Sequence, residues 1–219
     1  MSDLTLVLGN RAYSSWSLRP WLMLKRTGRP FAEVVIPLRR PDSKARILAH
    51  SPSGRVPLLK HGGRTVWDSL AIGEYLAETF PDAALWPADA HARAVARSVS
   101  AEMHSGFAAL RTAMPMDLKG TYPGLGRTPE CAADIARVTA LWNDARTRFG
   151  AEGPFLFGRF SIADAMYAPV VTRFQTYGVE LDSISRAYAD AVLDLPAMRE
   201  WYAAARDEEW VIDQETLRR

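Results

Sequence analysis

Short apolar runs and polar turns alternate through the first eighty residues. Leu4 to Leu8 reads as a strand, and residues 17–27 read as a helix stopped by Gly28. Phe31 to Pro37 reads as a second strand ended by proline, and residues 42–49 as a short helix. Val56-Pro57-Leu58-Leu59 reads as a third strand, with His61-Gly62-Gly63 as a hairpin turn and Thr65-Val66-Trp67 as its partner. Asp68-Ser69 then opens a helix through Leu76 and Thr79. The predicted order is β-α-β-α-β-β-α.

The pattern changes after residue 80. Residues 81–90 hold two prolines and no periodicity, which marks a linker. Beyond it apolar residues recur at helical spacing: Ala92, Val95, Val99, Met103, Phe107 and Leu110, then Ile135, Val138, Trp142, Ala145 and Phe149. Ser161, three residues before Asp164, opens a long apolar segment as in a capping box. Pro196 followed by Met198, Trp201, Tyr202 and Ala205 predicts a last helix with proline in its first turn. The expected architecture is an α/β domain of thioredoxin-like order over residues 1–80, a linker over 81–90 and an all-helical domain over 91–219. No internal repeat or low-complexity tract interrupts it.

Composition narrows the function classes. The 219 residues are 48% hydrophobic and 24% charged, with a formal net charge of +2, an ordinary globular balance. The basic residues are scattered. The pairs Arg39-Arg40 and Arg218-Arg219 are too short for a binding run, so no nucleic acid or anionic membrane partner is expected. No apolar stretch approaches the ~20 residues that span a bilayer, and the N-terminus does not read as a signal peptide. One cysteine, Cys131, leaves no internal disulfide and no CxxC pattern. His50, His61 and His91 share no metal-ligand spacing, so no metal is expected. The expected setting is cytoplasmic.

Three segments carry candidate chemistry. The turn Tyr13-Ser14-Ser15-Trp16-Ser17 lies between the first strand and the first helix, and a helix N-terminus attracts an anion: a phosphate, a carboxylate or a thiolate. Hydroxyl and amide donors there would lower a thiol pKa from its free value near ~8.5. Each unit of lowering takes about 1.4 kcal/mol, which one or two hydrogen bonds to a charged group supply. Arg19 adds positive potential; the plainer alternative is an N-cap with Arg19 in a surface ion pair. Second, Gly54-Arg55-Val56-Pro57 puts a proline directly before an apolar strand. A cis Val56-Pro57 bond would turn the Val56 backbone toward a ligand. Third, Asp68 and Ser69 stand where a strand hands over to a helix. They suit the ammonium and carboxylate of an α-amino acid, or simply cap the helix.

In register, these segments resemble the cytosolic glutathione transferases over essentially the whole chain. Tyr13-Ser14-Ser15-Trp16-Ser17-Leu18-Arg19 is similar to the zeta-class serine motif, SSCS followed by an arginine. Ser51-Pro52-Ser53-Gly54-Arg55-Val56-Pro57 resembles the family's NPxGxVP segment with its cis-proline. Asp68-Ser69-Leu70-Ala71-Ile72-Gly73-Glu74-Tyr75-Leu76 resembles its [EQD]-S-x-A-I-x-x-Y-L motif, and Ser161-Ile162-Ala163-Asp164 the helix cap of its second domain. The resemblance implies the glutathione transferase fold, a homodimer, and glutathione as co-substrate for attack on a small electrophile. It implies that Ser15 or Ser14 donates to the glutathione sulfur, that Val56 pairs with the cysteinyl backbone, and that Asp68 and Ser69 hold the γ-glutamyl end. Arg55 and Trp16 join the glutathione-binding set. The Ser161–Asp164 cap would serve folding.

Two departures temper the transfer. Trp16 stands where the zeta class has cysteine, which argues against disulfide exchange. Ala108 stands where that class has a glutamine, which weakens transfer of the maleylacetoacetate cis–trans isomerisation. The second half offers His104, Phe107 and Arg111 on one predicted helix face, which would line an electrophile pocket beside Ser15, with Trp16 as a further wall. His104 would shuttle a proton and Arg111 would meet an anionic substrate; the alternative is ordinary packing and ion pairing. The tail around Trp210 and Ile212 is a further candidate wall. A transferase is the leading expectation. A zeta-like isomerase and a non-catalytic binding protein of the same fold are the alternatives.

Overall fold

A computed structural model describes residues 3–213; the Arg218-Arg219 pair lies outside them. Strand β1 (Leu4–Leu8) occupies the middle of a four-stranded sheet of order β2-β1-β3-β4. It runs parallel to β2 (Ala32–Val35), with Leu6 opposite Glu33, and antiparallel to β3 (Leu58–His61), with Leu6 opposite Leu59. Strand β4 (Arg64–Val66) closes the hairpin across Gly62 and Gly63, which both hold the positive φ that such a turn requires. Alternation along β1 sorts its side chains. Leu4, Leu6 and Leu8 enter the main core, while Val7 packs with Ile36, Ile47 and Leu58 on the other face.

Helix α1 (Ser15–Thr27) follows β1 and ends at Gly28, whose left-handed φ of 67° lets its N–H reach the Lys25 carbonyl. Ser15 is its first residue, one or two positions earlier than Pro20 suggests, because the Ser14 carbonyl already accepts from Ser17 and Leu18. Helix α2 (Ser43–Leu48) joins β2 to β3, and α3 (Ser69–Thr79) follows β4. Val56 and Pro57 lie ahead of β3 rather than inside it, joined by a cis peptide bond.

The remaining helices are α4 (Ala90–Ser105), α5 (Ala108–Ala113), α6 (Pro129–Phe149), α7 (Ile162–Thr176), α8 (Ser183–Leu193) and α9 (Pro196–Asp207). The continuous helix expected through Leu110 is broken. Gly106 ends α4 and Phe107 takes a left-handed φ of 58° before α5 begins. A Cβ on Gly106 would stand 2.8 Å from the Glu102 carbonyl, which is why glycine sits at the break. Helix α8 was not anticipated, although Ser185, Tyr188, Ala189 and Val192 bury one face and Asp182 caps it. The tail does not wall a cavity: Ile212 packs on Ala12, Tyr13 and Ala205, and Trp210 is exposed.

Helix α7 is buried along nearly its whole length and packs against α1, α4 and α8. One apolar core therefore runs from β1 and α1 through α7 to Trp142, Tyr188 and Trp201. The α7 start is a complete capping box: Asp164 accepts the Ser161 N–H at 2.8 Å and the Ser161 hydroxyl at 2.9 Å, and also the Leu156 N–H at 3.0 Å. Burial pushes the Asp164 carboxyl up to about 6 against the pull of those donors. Replacing Asp164 with alanine orphans buried donors and should lower the unfolding free energy by about 3 kcal/mol in urea denaturation.

Candidate active site

The first turn of α1, two loops of the first half and helix α4 of the second meet at a cavity of about 690 Å³. Trp16, Ser53, Arg55, Val56, Pro57, Trp67, Asp68 and His104 line it. A groove of about 760 Å³ elsewhere, between α1, the 152–160 loop and the start of α9, is lined by none of the expected site residues.

The mouth of α1 supplies hydroxyls next to Trp16. Ser14 is buried, and its Oγ donates to Ser17 Oγ at 2.8 Å, which also accepts the Gly9 N–H at 3.0 Å. Ser15 is half-buried, and no hydrogen bond of its hydroxyl occurs among the described residues. At the start of α3, Asp68 Oδ1 caps the helix by accepting the Leu70 N–H at 3.1 Å. Ser69 is fully buried, yet its hydroxyl has no partner among the described residues. A buried hydroxyl at a helix N-terminus has the chemistry to donate to an anionic oxygen.

His104 reaches the cavity from α4. Its Nε2 lies 3.1 Å from Asp68 Oδ2, and its ring meets the Trp16 indole edge-on at 5.2 Å. The helix break redirects the other two expected pocket residues. Phe107 is buried in the core, and Arg111 folds back so that its guanidinium donates to the Met103 and His104 carbonyls. Neither lines the cavity. The unbroken helix presumed for His104, Phe107 and Arg111 is absent: Phe107 turns into the core, while His104 and Arg111 both still meet the Trp16 ring.

Behind Trp16 lies a group of arginines that sequence patterning did not reveal. The Arg19 guanidinium stacks at 4.5 Å and that of Arg111 at 4.9 Å from the indole centroid. Arg173 of α7 is buried nearby, bonded to the Met114 and Pro169 carbonyls. Burial, then the charges of Arg111 and Arg173, hold Arg19 well below the usual arginine range, with Asp68 opposing. Burial and Arg111 push Arg173 down to about 10. Nε and Nη1 of Arg19 are buried without partners among the described residues. The surface ion pair envisaged for Arg19 is thus replaced by a buried cation. The sequence marks it as the arginine that follows the serine motif, but local pattern does not tell a buried site from an exposed one.

Elsewhere the chemistry is quiet. Cys131 is fully buried at the start of α6, and burial raises its thiol pKa. Among the described residues no group of three or more His, Cys, Asp and Glu could hold a metal, and no helix is long and apolar enough to cross a membrane.

Comparison with known proteins accords with this geometry. Residues 13–79 match the family model "Glutathione S-transferase, N-terminal domain", and residues 101–204 match "Glutathione S-transferase, C-terminal domain". The chain is 29% identical over 150 residues to glutathione S-transferase L3 of Arabidopsis thaliana, covering 68% of this chain and 56% of that one. It is 34% identical over 108 residues to a probable maleylacetoacetate isomerase of Caenorhabditis elegans, covering 49% and 50%. The matches thus span about half the length of these curated relatives. A crystal structure of a Burkholderia glutathione transferase homolog with bound glutathione superposes with a TM-score of 0.72 at 25% identity, covering 94% of this chain and 99% of that one.

A buried charge with unpaired donors is a stability liability. Arg19→Met keeps the length of the side chain and removes the charge. It should raise the unfolding free energy by about 1 to 3 kcal/mol in urea denaturation.

Proposed function

The chain belongs to the glutathione S-transferase family, and on that premise we propose that it is a glutathione-dependent enzyme acting by thiolate activation. The carrying observation is the unpartnered Ser69 hydroxyl next to Asp68, which lines one cavity with Trp16, the residue after Ser14 and Ser15. Residues 1–80 form the glutathione-binding domain in this reading. Ser69 and the α3 amides take the γ-glutamyl carboxylate, Asp68 takes the ammonium group, and the Val56 backbone pairs with the cysteinyl residue. Arg55 and Trp16 flank the peptide.

The sulfur then lies at the mouth of α1. Ser15 offers it a free hydroxyl. Ser14 becomes a donor when the Ser17 hydroxyl turns to donate to it, since the Ser14 proton otherwise points at Ser17. Such donors, with the helix end, favour the thiolate over the thiol. The thiolate attacks an electrophile held against residues 91–219, the second domain, and bound geometry adds to the lowered pKa. His104, paired with Asp68, orients that carboxylate toward the ammonium. The reading carries with it a homodimer and a cytoplasmic setting, with which a single buried cysteine accords.

A second reading, a zeta-like isomerase in which glutathione adds, permits bond rotation and leaves, is favoured by one observation. Arg19, Arg111 and Arg173 concentrate positive charge beside Trp16, which suits an electrophile bearing carboxylates. A weak similarity to a probable maleylacetoacetate isomerase points the same way. Turnover of maleylacetoacetate would favour it over the general transferase. Absence of glutathione binding in calorimetry would instead favour a non-catalytic binding protein.

Ser14→Ala and Ser15→Ala, assayed with a model electrophile, should between them locate the donor. The variant that removes it loses about tenfold or more in kcat/KM, and its bound thiol titrates at higher pH by thiolate absorbance. Unchanged turnover in both discards serine activation. Ser69→Ala should raise the glutathione KM several-fold while leaving unfolding in urea almost unchanged, because its hydroxyl bonds nothing in the free protein.

A further inference from the structure

We propose that Trp16 determines which electrophiles this site accepts: it stands between the cavity and the guanidiniums of Arg19 and Arg111, so that a carboxylate-bearing ligand reaches them only with the indole displaced. The inference rests on the cavity being a glutathione site and concerns the half that the electrophile would occupy.

Trp16 lines the cavity, whereas Arg19 and Arg111 do not. Both guanidiniums lie within 5 Å of its indole centroid, at 4.5 and 4.9 Å. The indole is thus the wall, with two cations behind it. Stacking engages the face of a guanidinium and none of its five N–H donors. Those donors point sideways, and several remain unused: Nε and Nη1 of Arg19 and Nε of Arg111 are buried without partners among the described residues.

Among the described residues no carboxylate takes them up. Asp68 is engaged by His104 and by the Leu70 N–H, and Asp134 accepts the Leu110 N–H. Arg173, the third cation of the group, is bonded to main-chain carbonyls. The region behind Trp16 therefore holds unpaired guanidinium donors whose hydrogen-bonding capacity matches a carboxylate, which accepts from a guanidinium in a two-pronged fork. The indole stands between those donors and the cavity. His104 holds it edge-on from the α4 side, so displacement costs one ring contact and two stacked cations. With the indole in place the electrophile meets an aromatic wall, and neutral, planar molecules are favoured. With it displaced, acidic molecules gain charge-assisted hydrogen bonds.

The test uses succinate, which is unreactive, as the probe and dimethyl succinate as its uncharged control. Calorimetry is run on the whole protein with the glutathione site saturated by S-methylglutathione. Trp16→Ala should bind succinate at least tenfold more tightly than the wild type, with no gain for the diester. Adding Arg111→Met to Trp16→Ala should abolish the gain. Trp16→Leu keeps apolar packing and should shift affinity in the same direction, so the proposal stays testable if the alanine variant does not fold. Succinate affinity unchanged in both Trp16 variants, or an equal gain for the diester, overturns the proposal. Failure of S-methylglutathione to bind the wild type is a separate result, and it overturns the glutathione reading on which the proposal stands.

Discussion

The packing of α1 against α7 is the constraint from which the site follows. Leu18, Leu22 and Met23 are fully or almost fully buried, and α7 is enclosed on nearly every side. A helix held this firmly has a fixed first turn, and the first turn is where Ser14, Ser15 and Trp16 stand. Helix α7 is anchored in turn by Asp164, whose carboxylate binds both Ser161 and the incoming Leu156 backbone. Precision at the cavity is thus inherited from apolar burial and one buried cap well away from it.

Unsatisfied polarity marks the opposite tendency. Among the described residues, Ser69, Arg19, His104 and Arg111 each leave a buried polar atom without a partner, as do Asn10, Ser100, Trp142 and Tyr188 elsewhere in the chain. Folding alone selects against such atoms, each costing about 1–3 kcal/mol. Arg19, Arg111 and His104 share one neighbour, since all three pack on the Trp16 ring. The contrast with Asp164 is instructive. That carboxyl is buried as deeply but saturated with donors, which is the signature of a structural group.

The strand and helix rhythm of the first half was legible because apolar periods of two and of three to four are enforced by burial. Leu4, Leu6 and Leu8 against Val7 show the rule directly. The Ser161–Asp164 cap was legible because its geometry is local. The break at Gly106 was not, because Phe107 and Leu110 continue the helical spacing across it and both are buried after the chain has turned. The role of Trp16 was equally hidden. Nothing in the local pattern says that a tryptophan three residues before an arginine will stack on it, nor that Arg111 will arrive from α5 to join them. Such long-range meetings depend on tertiary packing, which no sequence window contains.

The single core running through both halves also bears on how the chain is made. The apolar face of α1 leaves the ribosome more than a hundred residues before α7, the helix that covers it. At ordinary translation rates of ~5–20 residues per second, that face waits on the order of ten seconds for its partner. During that interval the side of α1 that meets α7 lacks its cover, while the side that meets α3 is already enclosed.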